Sequence, residues 1–179
     1  LNLSAITFMI GVGLNVAAMI RVGNQKGLGD FISLRRIAFS IFLLVILIEI
    51  VFAFMFFTLR DWLPTLYLDT GNIAKIIENQ EVIMIASELL IIVALFQVFD
   101  GLQVVILGAL RGMQDVKIPT LMTFIAYWLI GFPICYYLGL YTPLKSTGIW
   151  IGLLFGLASA SVMLYIRFNY LTKKLIAKN

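Results

Sequence analysis

Five apolar runs, at 3–20, 37–59, 82–110, 118–144 and 146–166, alternate with polar connectors along the chain. Each run reaches about 18 residues or more, enough to cross a bilayer's hydrocarbon core as a helix. The pattern predicts an all-α integral membrane protein, a bundle of five transmembrane helices, with a long polar connector at 60–81.

The polar and small residues within these runs set further expectations. In 3–20, Gly11, Gly13 and Ala17 allow close helix approach, and Ser4, Thr7 and Asn15 read first as hydrogen-bond partners for neighbouring helices. The run has no basic n-region and no peptidase site, so it does not read as a secretory signal. The connector 21–30, with Arg35 and Arg36 after it, is basic and punctuated by Gly23, Gly27 and Gly29. No Lys-Ser or Lys-Thr pair follows these glycines and no strand precedes them, so they predict a membrane-surface turn and not a phosphate loop. In 60–81, Pro64, Gly71 and Asn72 mark a connector, with Trp62 and Tyr67 placed as interfacial anchors. Pro119 opens the fourth run, and Gly131 with Pro133 predicts a kink or interruption midway. Backbone freed at depth must face protein or water, so Tyr127 and Trp128 are expected to border a cavity. Gly108 and Gly112 end the third run at a spacing that suits tight helix contact. Gly148, Gly152, Gly156 and Ala160 form a packing stripe in the fifth.

Asp100 is the residue that most changes this picture. Eleven positions before Arg111, it lies roughly 16 Å into the span, about the midplane of the hydrocarbon core. A carboxylate there costs upward of about 2.5 kcal/mol, and such residues mark ion or substrate paths. Gln97 and Gln103 lie three residues to either side and Phe96 four before, which places all of them on one side of the helix. Glu88 sits shallower, within reach of the interface, and is turned about 120° from Asp100. Glu49 lies near the centre of the second run with no polar companion on its own helix. It is either neutral and packed against another helix or part of the same interior as Asp100.

Composition and charge narrow the class. The chain is 62% hydrophobic and 12% charged, with a mean hydropathy of +1.05, outside the range of soluble domains. Its net charge of +4 is scattered between apolar runs, which excludes a nucleic-acid patch. A lone Cys135 and no histidine leave no disulfide framework, no Cys/His zinc site and no nucleophile–base pair, so an intramembrane enzyme has no support. Of the 13 lysines and arginines, ten fall in the connectors after runs one, three and five. The positive-inside rule makes those connectors cytoplasmic, with residue 1 outside and Asn179 inside. Five spans with an external, signal-less start, at a residue other than Met, predict at least one earlier span.

These residues resemble the multidrug and toxic compound extrusion (MATE) transporters, in particular their bacterial cation-coupled branch. The resemblance spans nearly the whole chain. It is carried by Arg21-Val22-Gly23-Asn24 with Gly27 and Gly29-Asp30, by Phe96-Gln97, Asp100-Gly101 and Gln103, and by Leu110-Arg111-Gly112 with Asp115 and Pro119. Tyr127-Trp128 with Gly131 and Pro133, and Gly148-Ile149-Trp150 with Gly152, complete it. The resemblance implies a twelve-helix fold of two six-helix lobes around a central cavity. Residues 1–179 would be a partial C-terminal lobe, helices 8 to 12, with the preceding helix and the N-terminal lobe as partners. It also implies efflux of small organic cations or drugs in exchange for sodium or protons, without other cofactors or nucleic acid, in a bacterial inner (plasma) membrane with a cytoplasmic C-terminus.

On this resemblance Asp100 is the cation-coupling residue and a candidate sodium ligand. Phe96 stands where some members carry Tyr, so one hydroxyl ligand is absent and the choice of sodium or proton stays open. Phe96, Gln97, Gln103, Tyr127, Trp128, Glu49 and Glu88 are candidate cavity- or substrate-lining residues. A lipid-linked-oligosaccharide flippase of the same architecture is the alternative. It would favour a basic cavity, whereas the deep charges here are acidic.

Overall fold

The computed structural model describes residues 2–67 and 76–178. Among them the chain is helical, with no strand. It runs α1 (Asn2–Leu28), α2 (Phe31–Thr58), a 3-10 turn (Leu63–Tyr67), α3 (Ile76–Gly112), α4 (Lys117–Ile125), a π-helical turn (Ala126–Gly131), α5 (Phe132–Leu140) and α6 (Lys145–Ile176). Five segments are long and apolar enough to cross a membrane: α1, α2, α3, the α4–π–α5 unit and α6. Gly71 and Asn72 lie outside the described residues, as does the side chain of Tyr67.

The helices outrun their apolar runs. Residues 21–28 continue α1, and α2 begins at Phe31 rather than 37. Much of the expected glycine-rich connector is therefore helix, and Gly23 and Gly27 are not turn residues. Only Gly29, at φ 76, turns the chain. Its N–H bonds Lys26 O and the Asp30 N–H bonds Gln25 O, each over 3.2 Å, which closes α1 with a Schellman-type cap. Asp30 then starts α2 by accepting from Ser33 N at 2.9 Å. Hydrogen bonding from the Ser33 side chain, and then from its backbone N–H, holds the Asp30 carboxyl below the usual range. The same cap ends α3, with Gln114 at φ 64 in place of glycine and Asp115 N bonded to Leu110 O at 3.0 Å.

The fourth span is not interrupted. The Phe132 N–H bonds Tyr127 O, five residues back, so the helix widens by one residue and runs on. The wide turn lies directly ahead of Pro133, whose ring would otherwise meet the carbonyl four residues before it. Depth is thus kept free of open backbone, and the expected break is replaced by a bulge.

The third span, α3, is the centre of the bundle, packed on α1, α2 and α6. A core of Val22, Leu34, Phe42, Ile106, Leu110 and Phe168 fills the end where α1 and α3 finish. Close approach of α1 to α3 depends on glycine. A Cβ on Gly112 would lie 2.5 Å from Met19 O and 3.0 Å from Gly23 N, both backbone atoms. The stripe on α6 performs the same service for the fourth span, with Gly148 against Leu138, Gly152 against Cys135 and Gly156 against Gly131.

Polar locks gather at the basic end. Lys26 Nζ donates to Met113 O at 2.6 Å and to Gln114 Oε1 at 3.0 Å. Arg167 Nε pairs with Asp115 Oδ2 at 2.8 Å. Arg35 donates to Asn169 Oδ1 at 2.8 Å. Bonds that join four helix ends on one side explain why the basic connectors lie together in space.

Candidate functional site

Halfway along α3 the helix turns a polar arc toward its neighbours. Asp100 is half-buried at the middle of this arc, and its amide companions diverge from it to either side. Gln97, 2% exposed, faces α2. Its Nε2 donates to the main-chain carbonyl of Glu49 at 3.3 Å. Gln103, 7% exposed, faces the fourth span and accepts from the Tyr127 hydroxyl at 2.6 Å. Among the described residues, no hydrogen bond or ion pair ties down the Asp100 carboxyl.

Glu49 is only 1% exposed, packed against α3. Its carboxyl folds over Gly101, the residue after Asp100; a Cβ there would lie 2.7 Å from Oε1. Glu49 Oε2 and Gln97 Oε1 have no hydrogen-bond partner. The expected set of polar side chains on α3 therefore extends across two further elements: Glu49, Gln97, Asp100, Gln103 and Tyr127 form one connected patch.

Three other candidates lie elsewhere. Phe96 meets Trp150 of α6 edge to face, with centroids 5.7 Å apart. Trp128, 59% exposed, lies between the rings of Phe124 and Phe132, and with Tyr127 it borders a cavity of about 170 Å³ beside the π turn, as the sequence leads one to expect. Glu88 is exposed near the opposite end of α3, in a surface groove of about 450 Å³ shared with Arg60, Asp61 and Ser87. Of two contacts around the patch, one escapes the sequence reading and one agrees with it. Ser161 of α6 donates to Phe99 O at 2.9 Å, next to Asp100, and its only sequence signal is a place beside the small-residue stripe. Asn15 donates to Val104 O at 3.0 Å, the packing role its residue type suggests. The described residues contain no cluster of three or more His, Cys, Asp or Glu side chains suited to a metal ion. Any small cation here would be held chiefly by carboxyl, amide and hydroxyl oxygens.

This arrangement, five membrane-length helices with an unpaired acid and flanking amides at mid-depth, suits ion-linked transport. The sequence profile of the family MatE matches residues 1–137. The chain belongs to the MatE family.

Relatives extend the match to almost the whole chain. The chain is 38% identical over 177 residues to a probable multidrug resistance protein NorM of Rhodopseudomonas palustris, covering 99% of this chain and 36% of the relative. It is 33% identical to the multidrug resistance protein NorM of Photobacterium profundum, covering 96% and 36%. With the multidrug resistance protein MdtK of Yersinia enterocolitica the identity is 35%, covering 97% and 37%. The chain thus spans a little over a third of the length of the curated relatives it matches. The fold agrees with that of the eukaryotic MATE transporter AtDTX14, at a TM-score of 0.83 and 21% identity over 99% of this chain and 39% of the other. An inward-facing MATE family multidrug resistance transporter superposes with a TM-score of 0.78 at 16% identity, over 97% of this chain and 39% of the other. MatE membership and five membrane-length helices make the chain part of a multi-pass membrane protein.

Proposed function

We propose that this chain supplies the ion-coupling half of a multidrug efflux antiporter, which exports organic cations or drugs in exchange for sodium or protons. The single observation that carries this is Asp100, an acid at mid-depth of α3 whose carboxyl has no partner among the described residues while amide side chains flank it. An acid desolvated in one conformation and wetted in another changes its affinity for a proton or sodium between the two, which links an ion gradient to a conformational change. The names of the relatives, multidrug resistance proteins NorM and MdtK, support drugs as the exported class. The acidic interior favours a cation over the substrate of a flippase, and none of the deep charges is basic.

In this reading the site works between this lobe and a second one, since repeat-built transporters bind at the repeat interface. The basic end of the bundle faces the cytoplasm, with Asn179, and the membrane is the bacterial inner membrane.

The test uses a full-length NorM relative in which this chain replaces the segment it aligns with, reconstituted in proteoliposomes. Asp100→Asn preserves size and hydrogen bonding but removes the ionisable group. Gradient-driven efflux is expected to be lost at unchanged protein incorporation, while Glu88→Gln, on the remote groove, has a mild effect. Uphill efflux by Asp100→Asn at the parent rate overturns the coupling role.

A further inference from the structure

The crossing of α2 and α3 holds two oxygen atoms that the coupling reading does not use. Glu49 Oε2 and Gln97 Oε1 are both buried and without a partner. Their side chains are 1% and 2% exposed, and water does not reach them. They share one patch of α3: Gln97 bonds the Glu49 main chain at 3.3 Å, and the Glu49 carboxyl rests on Gly101, one helical turn further along.

Exchanging the oxygen and nitrogen of the Gln97 amide does not repair this. It would turn the amide oxygen onto the Glu49 carbonyl, oxygen against oxygen, in place of the present bond. Nor does a neighbouring cation neutralise the acid. The helices packed on α2 are α1, α3 and α6. α1 has no charged side chain before Arg21, and α6 none between Lys145 and Arg167. On α3 the charge next to the Gly101 contact is Asp100, itself acidic. Two buried acceptors, one of them on an acid, with no basic side chain beside them among the described residues, call for a proton or a cation.

We propose that Glu49 and Gln97 form a second site for a monovalent cation, a proton or a sodium ion, held between Glu49 Oε2 and Gln97 Oε1. Either occupant would be held by the Glu49 carboxyl, with the Gln97 amide oxygen as its second partner. Gly101 makes the site, because any side chain there would displace the carboxyl. The site is separate from the Asp100 carboxyl but within its electrostatic reach, so filling one alters the other. It concerns occupancy and not transport, and it does not depend on Asp100 coupling efflux.

Infrared difference spectroscopy of the chain in lipid nanodiscs, across pH and with or without sodium, tests this. Isotope labelling of glutamate side chains separates Glu49 from the aspartates, and a background with Glu78, Glu81 and Glu88 changed to Gln leaves Glu49 as the one labelled carboxyl. The expected result is one of two signals: a protonated-carboxyl band at neutral pH, or a carboxylate band that shifts on adding sodium. Either must be present in Asp100→Asn, absent in Glu49→Gln and displaced in Gln97→Leu. The first assigns a proton and the second sodium. A glutamate spectrum with neither signal in that background, or a signal that survives in a folded Glu49→Gln, overturns the site. The labelling experiment in that background decides the matter even where Glu49→Gln fails to fold.

Discussion

Tyr127 donates its hydroxyl proton to Gln103 Oε1 over 2.6 Å, and this fastens the π turn of the fourth span to α3 beside Asp100. Tyr127→Phe leaves a buried amide oxygen without its donor, an expected loss of about 1–3 kcal/mol. Tyr127→Phe combined with Gln103→Leu removes both polar partners and should regain part of that loss. Unfolding by denaturant in detergent reads both. A Tyr127→Phe variant as stable as the parent would show that the bond contributes nothing.

The Arg167–Asp115 pair, 2.8 Å long with side chains 19% and 17% exposed, joins α6 to the connector between α3 and α4. Removing either member should destabilise the basic end by about 1.5–3 kcal/mol, the range for hydrogen bonds to charged groups. The double variant should lose clearly less than the two single losses together. Strict additivity in the cycle would mean the contact carries no coupling.

Glycines of the packed α1–α3 pair should respond oppositely to alanine. A Cβ on Gly112 would sit 2.5 Å from Met19 O, whereas one on Gly13 meets nothing within 4 Å. Gly112→Ala should therefore cost about 1–3 kcal/mol by forcing α1 and α3 apart. Gly13→Ala should be neutral or gain up to about 1 kcal/mol from helix propensity. Equal effects of the two substitutions on the unfolding midpoint would refute the close-contact account.

Orientation follows from charge. In a background with Cys135→Ala, cysteines at Asn24 or Gln114 should resist an impermeant thiol reagent applied to intact bacterial cells, while cysteines at Trp62 or Tyr141 react. Labelling of the first pair from outside would invert the topology.

Much of this protein is legible in its sequence because the bilayer allows so few solutions. A run such as 37–59 must be a helix in a membrane, since only a helix satisfies its own backbone there. The depth of Asp100 follows from counting residues to Arg111. The glycine stripe from Gly148 to Gly156 needed only its four-residue period to be read as packing.

Where apolar runs end, the same logic fails, because hydropathy marks the hydrocarbon boundary and not the helix boundary. Arg21 and Lys26 can extend α1 into the polar zone, and Lys26 is held there by Met113 and Gln114, distant in sequence. Proline at 133 announced a disturbance, but whether it breaks the helix or widens it depends on α6, whose Gly152 and Gly156 admit the widened turn.

Glu49 marks the sharpest division. Periodicity finds no polar neighbour for it, since its companions Gln97 and Asp100 lie about fifty residues away on another helix. The sequence alone determined that the acids are buried, because hydropathy sets depth. Only the tertiary structure decided that they share one patch, because which faces meet is set by where glycines such as Gly101 let two helices touch.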